Sequence, residues 1–184
     1  MHVLHRVLVN LYECMSLINL PPYKGEDYIK ASAWRKNAIE SAKSRAEVLT
    51  EDFINDVFDW RETETAGRWT CDYPENVILS SENLEKFVTE LKRALEIQQS
   101  EIDHCLAEIK RKDICELVEA ERRNTHGMES FYLLQLAELL YGKYTIDSGF
   151  YDTARYSAKI TEETIEEVKK SPNDWALVFF DYHY

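Results

Sequence analysis

Glycine and proline are scarce in this 184-residue chain, which has five glycines and four prolines. All-β folds use many of both in their tight turns, so their scarcity argues against that class. Long apolar runs are also missing, since no stretch approaches the roughly 18 residues that span a membrane. The first twenty residues lack the compact basic region and the cleavage site of a signal peptide. We therefore expect a cytoplasmic protein that does not bind a membrane.

Metal and cofactor motifs are missing as well. The chain has four cysteines: Cys14, Cys71, Cys105 and Cys115. None forms a CxxC or CxxH pair, so we expect free thiols and no zinc site. Glu101 and His104 have the Glu-x-x-His spacing of di-iron bundles, but such a site needs a second copy that the chain lacks. There is no phosphate-binding or dinucleotide-binding glycine motif and no HExxH. The sequence therefore predicts no metal and no cofactor.

Negative charge is plentiful and unevenly distributed. The net charge is −12, and residues 51–82 alone carry nine carboxylates and two cations. An acidic surface repels phosphate backbones, so we expect no direct binding to nucleic acid. The same surface attracts basic proteins and speeds their association. The charge balance thus points to a basic protein as partner.

The segment "TEDFINDVFDWRETE", residues 50–64, lies at the centre of this acidic region. At 100° per residue, Phe53, Val57 and Trp60 share one face of a helix, which predicts that they attach it to the core. The opposite face carries four carboxylates that we predict to contact a partner: Asp52, Asp56, Asp59 and Glu62.

Two further segments determine the predicted architecture. Apolar residues of the segment 84–109 fall within about 100° of arc, which predicts a long helix with a seam for a partner helix. Residues 127–141, "GMESFYLLQLAELLY", are apolar all round and predict a buried central helix.

The two ends of the chain are also predicted to be helical. Spacings of three and four indicate a helix over residues 2–18. The segment "SPND" at 171–174 has the residues of a helix start, which makes "WALVFFDYHY" a terminal helix. Thr161 begins another helix, while residues 65–80 form an irregular connection in which a strand at 77–79 would lack an obvious partner. The predicted fold is one all-α domain, residues 1–184, a bundle of about seven to nine helices around the 127–141 helix.

For function we favour a non-enzymatic inhibitor of a basic protein. Such a protein could be a toxin-neutralising immunity protein or a phage-type blocker of a nuclease or defence system, acting by an anionic surface. One alternative is a helical nuclease or hydrolase that uses His126 with Arg122 or Arg123. Another is a structural subunit, including a homo-oligomer, that associates through the 84–109 seam.

Overall fold

The computed structural model describes residues 2–16, 28–123, 130–145 and 148–183. They form an α/β fold in which helices surround a mixed five-stranded sheet. The predicted all-α bundle of about seven to nine helices is therefore wrong. Within the described part of the chain, no helix is both long and apolar enough to cross a membrane.

Two long antiparallel strands form the centre of the sheet. Strand β1 is His2–Asn10 and strand β5 is Trp175–His183, and they pair from His2 with His183 to Asn10 with Trp175. Every residue of β5 except His183 is buried. In a strand that is covered on both faces, every side chain is buried and apolar residues are favoured at every position. The sequence of such a strand is therefore a nearly continuous apolar run instead of an alternation of apolar and polar residues.

Short strands complete the two edges of this pair. Strand β4, Phe150–Asp152, runs parallel to β1, while β2, Trp60–Glu62, and β3, Val77–Leu79, both pair antiparallel with β5. The strand suspected at 77–79 is therefore real, and its partner is the segment 175–183 that was predicted to be a helix.

Helices cover both faces of the sheet, giving three layers. On one face, α2, Tyr28–Leu49, contributes a line of buried alanines at positions 38, 42 and 46 that packs on Val178 and Phe180. The short helices α1, Leu11–Ser16, and α3, Phe53–Asp56, complete this layer. On the other face, α4, Leu84–Lys110, and α7, Glu162–Lys170, pack on Leu177 and Phe179.

Helix α4 confirms the predicted long helix and shows what covers its seam. Phe87 and Leu91 bury themselves against the sheet, and farther along, α4 packs against α6, Phe131–Tyr141. Helix α5, Ile114–Arg122, follows the bend after α4. The apolar seam is therefore largely covered from within the chain, which weakens the expectation of a subunit that associates through it.

The prediction that the helix at 127–141 is the buried centre of the fold is wrong. Residues 127–129 lie outside the described part of the chain, and only Gln135 and Leu139 of α6 are buried. Phe131, Leu140 and Tyr141 are exposed. The most buried element is instead β5.

The remaining corrections concern helix ends. Residues 2–10 are a strand, and the segment 50–64, predicted to be helical, is an α-helix only over Phe53–Asp56. The "SPND" segment is a turn in which the Ser171 N–H bonds the Glu167 carbonyl and the Asp174 N–H bonds the Ser171 carbonyl. It closes α7 instead of opening a new helix. Thr161 does begin α7, and its hydroxyl accepts a bond from the Thr164 N–H.

Candidate functional site

The predicted acidic face is not one helical surface. Asp52 is exposed in the turn before α3, and Asp59 is exposed just before β2. Glu62 is half-buried, and its carboxylate accepts bonds from the N–H groups of Glu64 and Thr65. The side chain of Asp56 lies outside the described residues. These positions therefore belong to a turn, a helix and a strand, although they follow one another around one end of the sheet.

The apolar side of this segment is also only partly as predicted. Phe53 stacks on Tyr144 with ring centroids 3.8 Å apart, so it does attach α3 to the core. Trp60, in contrast, begins β2 and is 46% exposed. Its aromatic surface stands beside Asp59 at the edge of the sheet.

Two histidine–carboxylate pairs lie at this end of the sheet. Asp59 accepts a bond from His183 at 2.8 Å, and this bond holds the pKa of the Asp59 carboxyl below its usual range. His2, the strand neighbour of His183, bonds Asp181 at 2.9 Å. We call His2, Asp59, Trp60, Asp181 and His183 the sheet-end cluster.

Edge-on ring contacts hold the sheet-end cluster together. The ring of His2 lies edge-on to that of His183 with centroids 4.9 Å apart, and its centroid is 6.2 Å from that of Trp60. Asp181 is buried, and its second carboxylate oxygen accepts the backbone N–H of Arg68 at 3.1 Å. Gly67 makes this approach feasible because its φ is +52° and a Cβ there would lie 2.2 Å from that carboxylate.

Arg61, the one lysine or arginine within residues 46–67, faces inward, whereas Lys43 of α2 reaches the Glu64 carbonyl at 3.1 Å. Residues 46–67 contain seven carboxylates and a single Lys or Arg, Arg61. Its guanidinium donates to the Glu47 carbonyl at 3.2 Å and to the Thr50 hydroxyl at 2.7 Å. Because the hydroxyl and carbonyl are neutral, this arrangement leaves the neighbouring exposed carboxylates without compensation from Arg61. The bond to Thr50 also joins the turn of Glu51 and Asp52 to β2.

The alternative catalytic residues are not brought into a described site. Arg122 and Arg123 are exposed at the end of α5, where both pair with Glu119. His126 lies outside the described residues, so its relation to the two arginines stays a prediction.

Two buried polar contacts lie deeper in the protein. Arg6 and Glu90 form an ion pair at 2.9 Å between β1 and α4, with both side chains buried. On the opposite face, the His5 ring bonds the Tyr144 hydroxyl, and burial, assisted by nearby Arg6, lowers the pKa of His5 to about 3. Both contacts connect elements across the core and are closed to solvent, so we assign them structural roles.

From the sequence, Asp59 is the one member of the sheet-end cluster that is predicted as a functional residue. His2, Asp181 and His183 are not predicted. No local spacing relates residue 2 to residue 183, and only the register of β1 on β5 does so.

A comparison with protein-family models, curated proteins and solved structures finds no match for this chain.

Proposed function

We propose that this protein binds a basic protein partner without catalysing a reaction, and that it does so at the end of the sheet around β2. The observation that carries the proposal is the orientation of charge there. Arg61 faces inward, while Glu51, Asp52, Asp59 and Glu64 are exposed. We call these four carboxylates the acidic rim.

Trp60 supports the proposal because it gives the acidic rim an apolar contact. Tryptophan is among the residues that contribute most to protein interfaces, and its ring attracts lysine and arginine side chains. Exposed carboxylates contribute mainly to the rate of association and to the choice of partner. A half-exposed tryptophan beside exposed carboxylates that Arg61 does not pair with therefore suits a lysine- or arginine-rich surface. Inhibition of a toxin or nuclease is the version of this function that we favour.

The proposed compartment is the cytoplasm. Its support is that all four cysteines are free thiols, two of them exposed. Disulfides are rare in that compartment because thiols are kept reduced there.

Matched charge variants test the proposal. The rim variant carries Glu51→Gln, Asp52→Asn and Glu64→Gln, and the control carries Glu96→Gln, Asp103→Asn and Glu116→Gln, all exposed and remote in sequence from the rim. Each removes three charges of the same residue types. The wild-type chain is used to capture partners at low salt, and a basic protein retained in stoichiometric amount is purified for affinity measurements.

We expect the rim variant to bind that partner about tenfold more weakly, since each exposed pair contributes about 0.5 kcal/mol. The control should bind like wild type, and wild-type affinity should fall with added salt. Trp60→Ala should cost about 2 kcal/mol of binding free energy. Equal binding by both charge variants, or no basic partner at low salt, contradicts the proposal.

A further inference from the structure

His2 and His183 occupy directly opposed positions on neighbouring antiparallel strands. Side chains at such positions project from the same face of a sheet, which explains why the two rings are in contact. Neither side chain is fully enclosed: that of His2 is 21% exposed and that of His183 is 40% exposed. The pair is thus accessible to a small ion from solvent.

Both rings use the same nitrogen for their carboxylate. Nδ1 of His2 bonds Asp181, and Nδ1 of His183 bonds Asp59. In neutral imidazole, a proton donated from Nδ1 leaves the lone pair on Nε2. Metal-binding histidines in proteins almost always have such a carboxylate or carbonyl behind them, because it fixes the ring and raises the basicity of the ligating nitrogen.

The ring separation matches that of two histidines on one ion. With a Zn–N bond of about 2.1 Å and a ring radius of about 1.1 Å, each centroid lies about 3.2 Å from the metal. At a near-tetrahedral angle, the two centroids are then about 5 Å apart. The rings of His2 and His183 have centroids 4.9 Å apart.

We propose that His2 and His183 form a binding site for a divalent transition metal such as Zn²⁺, which they hold through Nε2. Asp181 and Asp59 orient the two rings. No group of three or more histidine, cysteine or acidic side chains within the described residues is suited to one ion, so water completes the coordination. With two protein ligands, we expect a dissociation constant on the order of 10 µM, since a four-ligand site binds with roughly twice the free energy. This proposal is independent of the proposed protein partner.

Calorimetric titration of the untagged full chain with Zn²⁺ tests the site. We expect one ion per chain, and we expect His2→Gln and His183→Gln each to weaken binding at least tenfold. Asp59→Asn, which keeps both ligands, should weaken it by about tenfold, a typical effect of removing a carboxylate behind a ligand. His104→Gln is the matched control because His104 is exposed on α4, away from the sheet-end cluster. Circular dichroism shows whether each variant is folded.

Several results would overturn the proposal. A dissociation constant above about 1 mM at neutral pH would contradict the proposed site. A loss of affinity in His104→Gln alone would also contradict it. Binding that survives His183→Gln would show that His183 is not a ligand and would contradict the two-histidine site. If a histidine variant fails to fold, nuclear magnetic resonance of the wild type decides the question. Zn²⁺ should shift the ring signals of His2 and His183 first, and unchanged signals of both would contradict the proposal.

Discussion

His5 should make the protein increasingly sensitive to acid below pH 6.5. Its ring is fully buried, with centroids 4.6 Å from Tyr182 and 4.9 Å from Phe58. Nδ1 shares a hydrogen bond with Tyr144, while Nε2 has no hydrogen-bond partner within the described residues. A positive charge on this ring would therefore be desolvated, which is why its pKa falls from 6.5 to about 3.

The direction and size of the effect follow from proton linkage. Below pH 6.5 the unfolded chain binds a proton at His5, whereas the folded chain stays neutral there until about pH 3. Folding stability is thus unaffected by His5 above pH 6.5 and decreases as the pH falls towards 3. Between pH 7 and pH 5 the loss amounts to about 2 kcal/mol, a large part of the stability of an ordinary domain.

Urea unfolding of wild type and His5→Gln at pH 7, 6 and 5 measures this loss. The variant removes the titrating group, and the other four histidines, His2, His104, His126 and His183, remain in both proteins as a common background. We expect the free energy of unfolding of wild type to fall by about 2 kcal/mol more than that of the variant between pH 7 and pH 5. The absolute stability of the variant does not matter, because the comparison is between the two pH dependences.

Parallel pH profiles for the two proteins would refute this reasoning. So would a His5 ring signal that titrates between pH 6 and 7 in the native state, since a ring that accepts a proton there is not desolvated. A native signal that stays neutral at pH 5 would agree with the prediction.

Further predictions concern the core and can be measured by urea unfolding, with circular dichroism of each variant as a folding check. Leu177→Ala should cost about 3–5 kcal/mol because the side chain is fully buried between the sheet and the helices, and a cost under 1 kcal/mol would contradict the three-layer core. Glu90→Gln should cost about 3 kcal/mol because it leaves the buried Arg6 charge unpaired, and a neutral result would refute that pair. Thr161→Ala should cost about 1 kcal/mol as a lost cap. Gly67→Ala should destabilise through its positive φ and its contact with Asp181, and unchanged stability would argue against that turn.

The helix that the sequence predicted well is the one whose apolar residues repeat every 3.6 residues over a long segment. Helix α4 has one apolar face along most of its length, and a 3.6-residue repeat of that extent has no competing interpretation. The residues of β5 have no such repeat. A continuous apolar run fits a buried strand or a buried helix equally well, and the misread "SPND" turn decided the choice wrongly. This error, together with the helix predicted over residues 2–18 in place of β1, removed the two central strands and with them the sheet, because β5 pairs with β1, β2 and β3.

The candidate site was only partly predictable for a related reason. The charge imbalance around residues 51–82 is visible in composition, so Asp52 and Asp59 could be singled out. The histidines beside Asp59 come from residues 2 and 183, and no helix wheel or spacing rule can bring them together. The inward turn of Arg61 likewise depends on the packing of β2 beside the end of α2.

The pairing of β1 with β5 has a consequence for how the protein is made. The two longest described strands are far apart in sequence, since β1 ends at Asn10 and β5 begins at Trp175, and β2 and β3 also pair with β5. Contacts between such distant residues slow folding because a large loop must close before they form. On the ribosome, β1 is synthesised before β5, and its hydrogen-bonding edge towards β5 stays open until residues 175–183 have been synthesised. During that interval the unpaired edge is open to association with other chains, and a chaperone that shields extended apolar segments would raise the yield of folded protein.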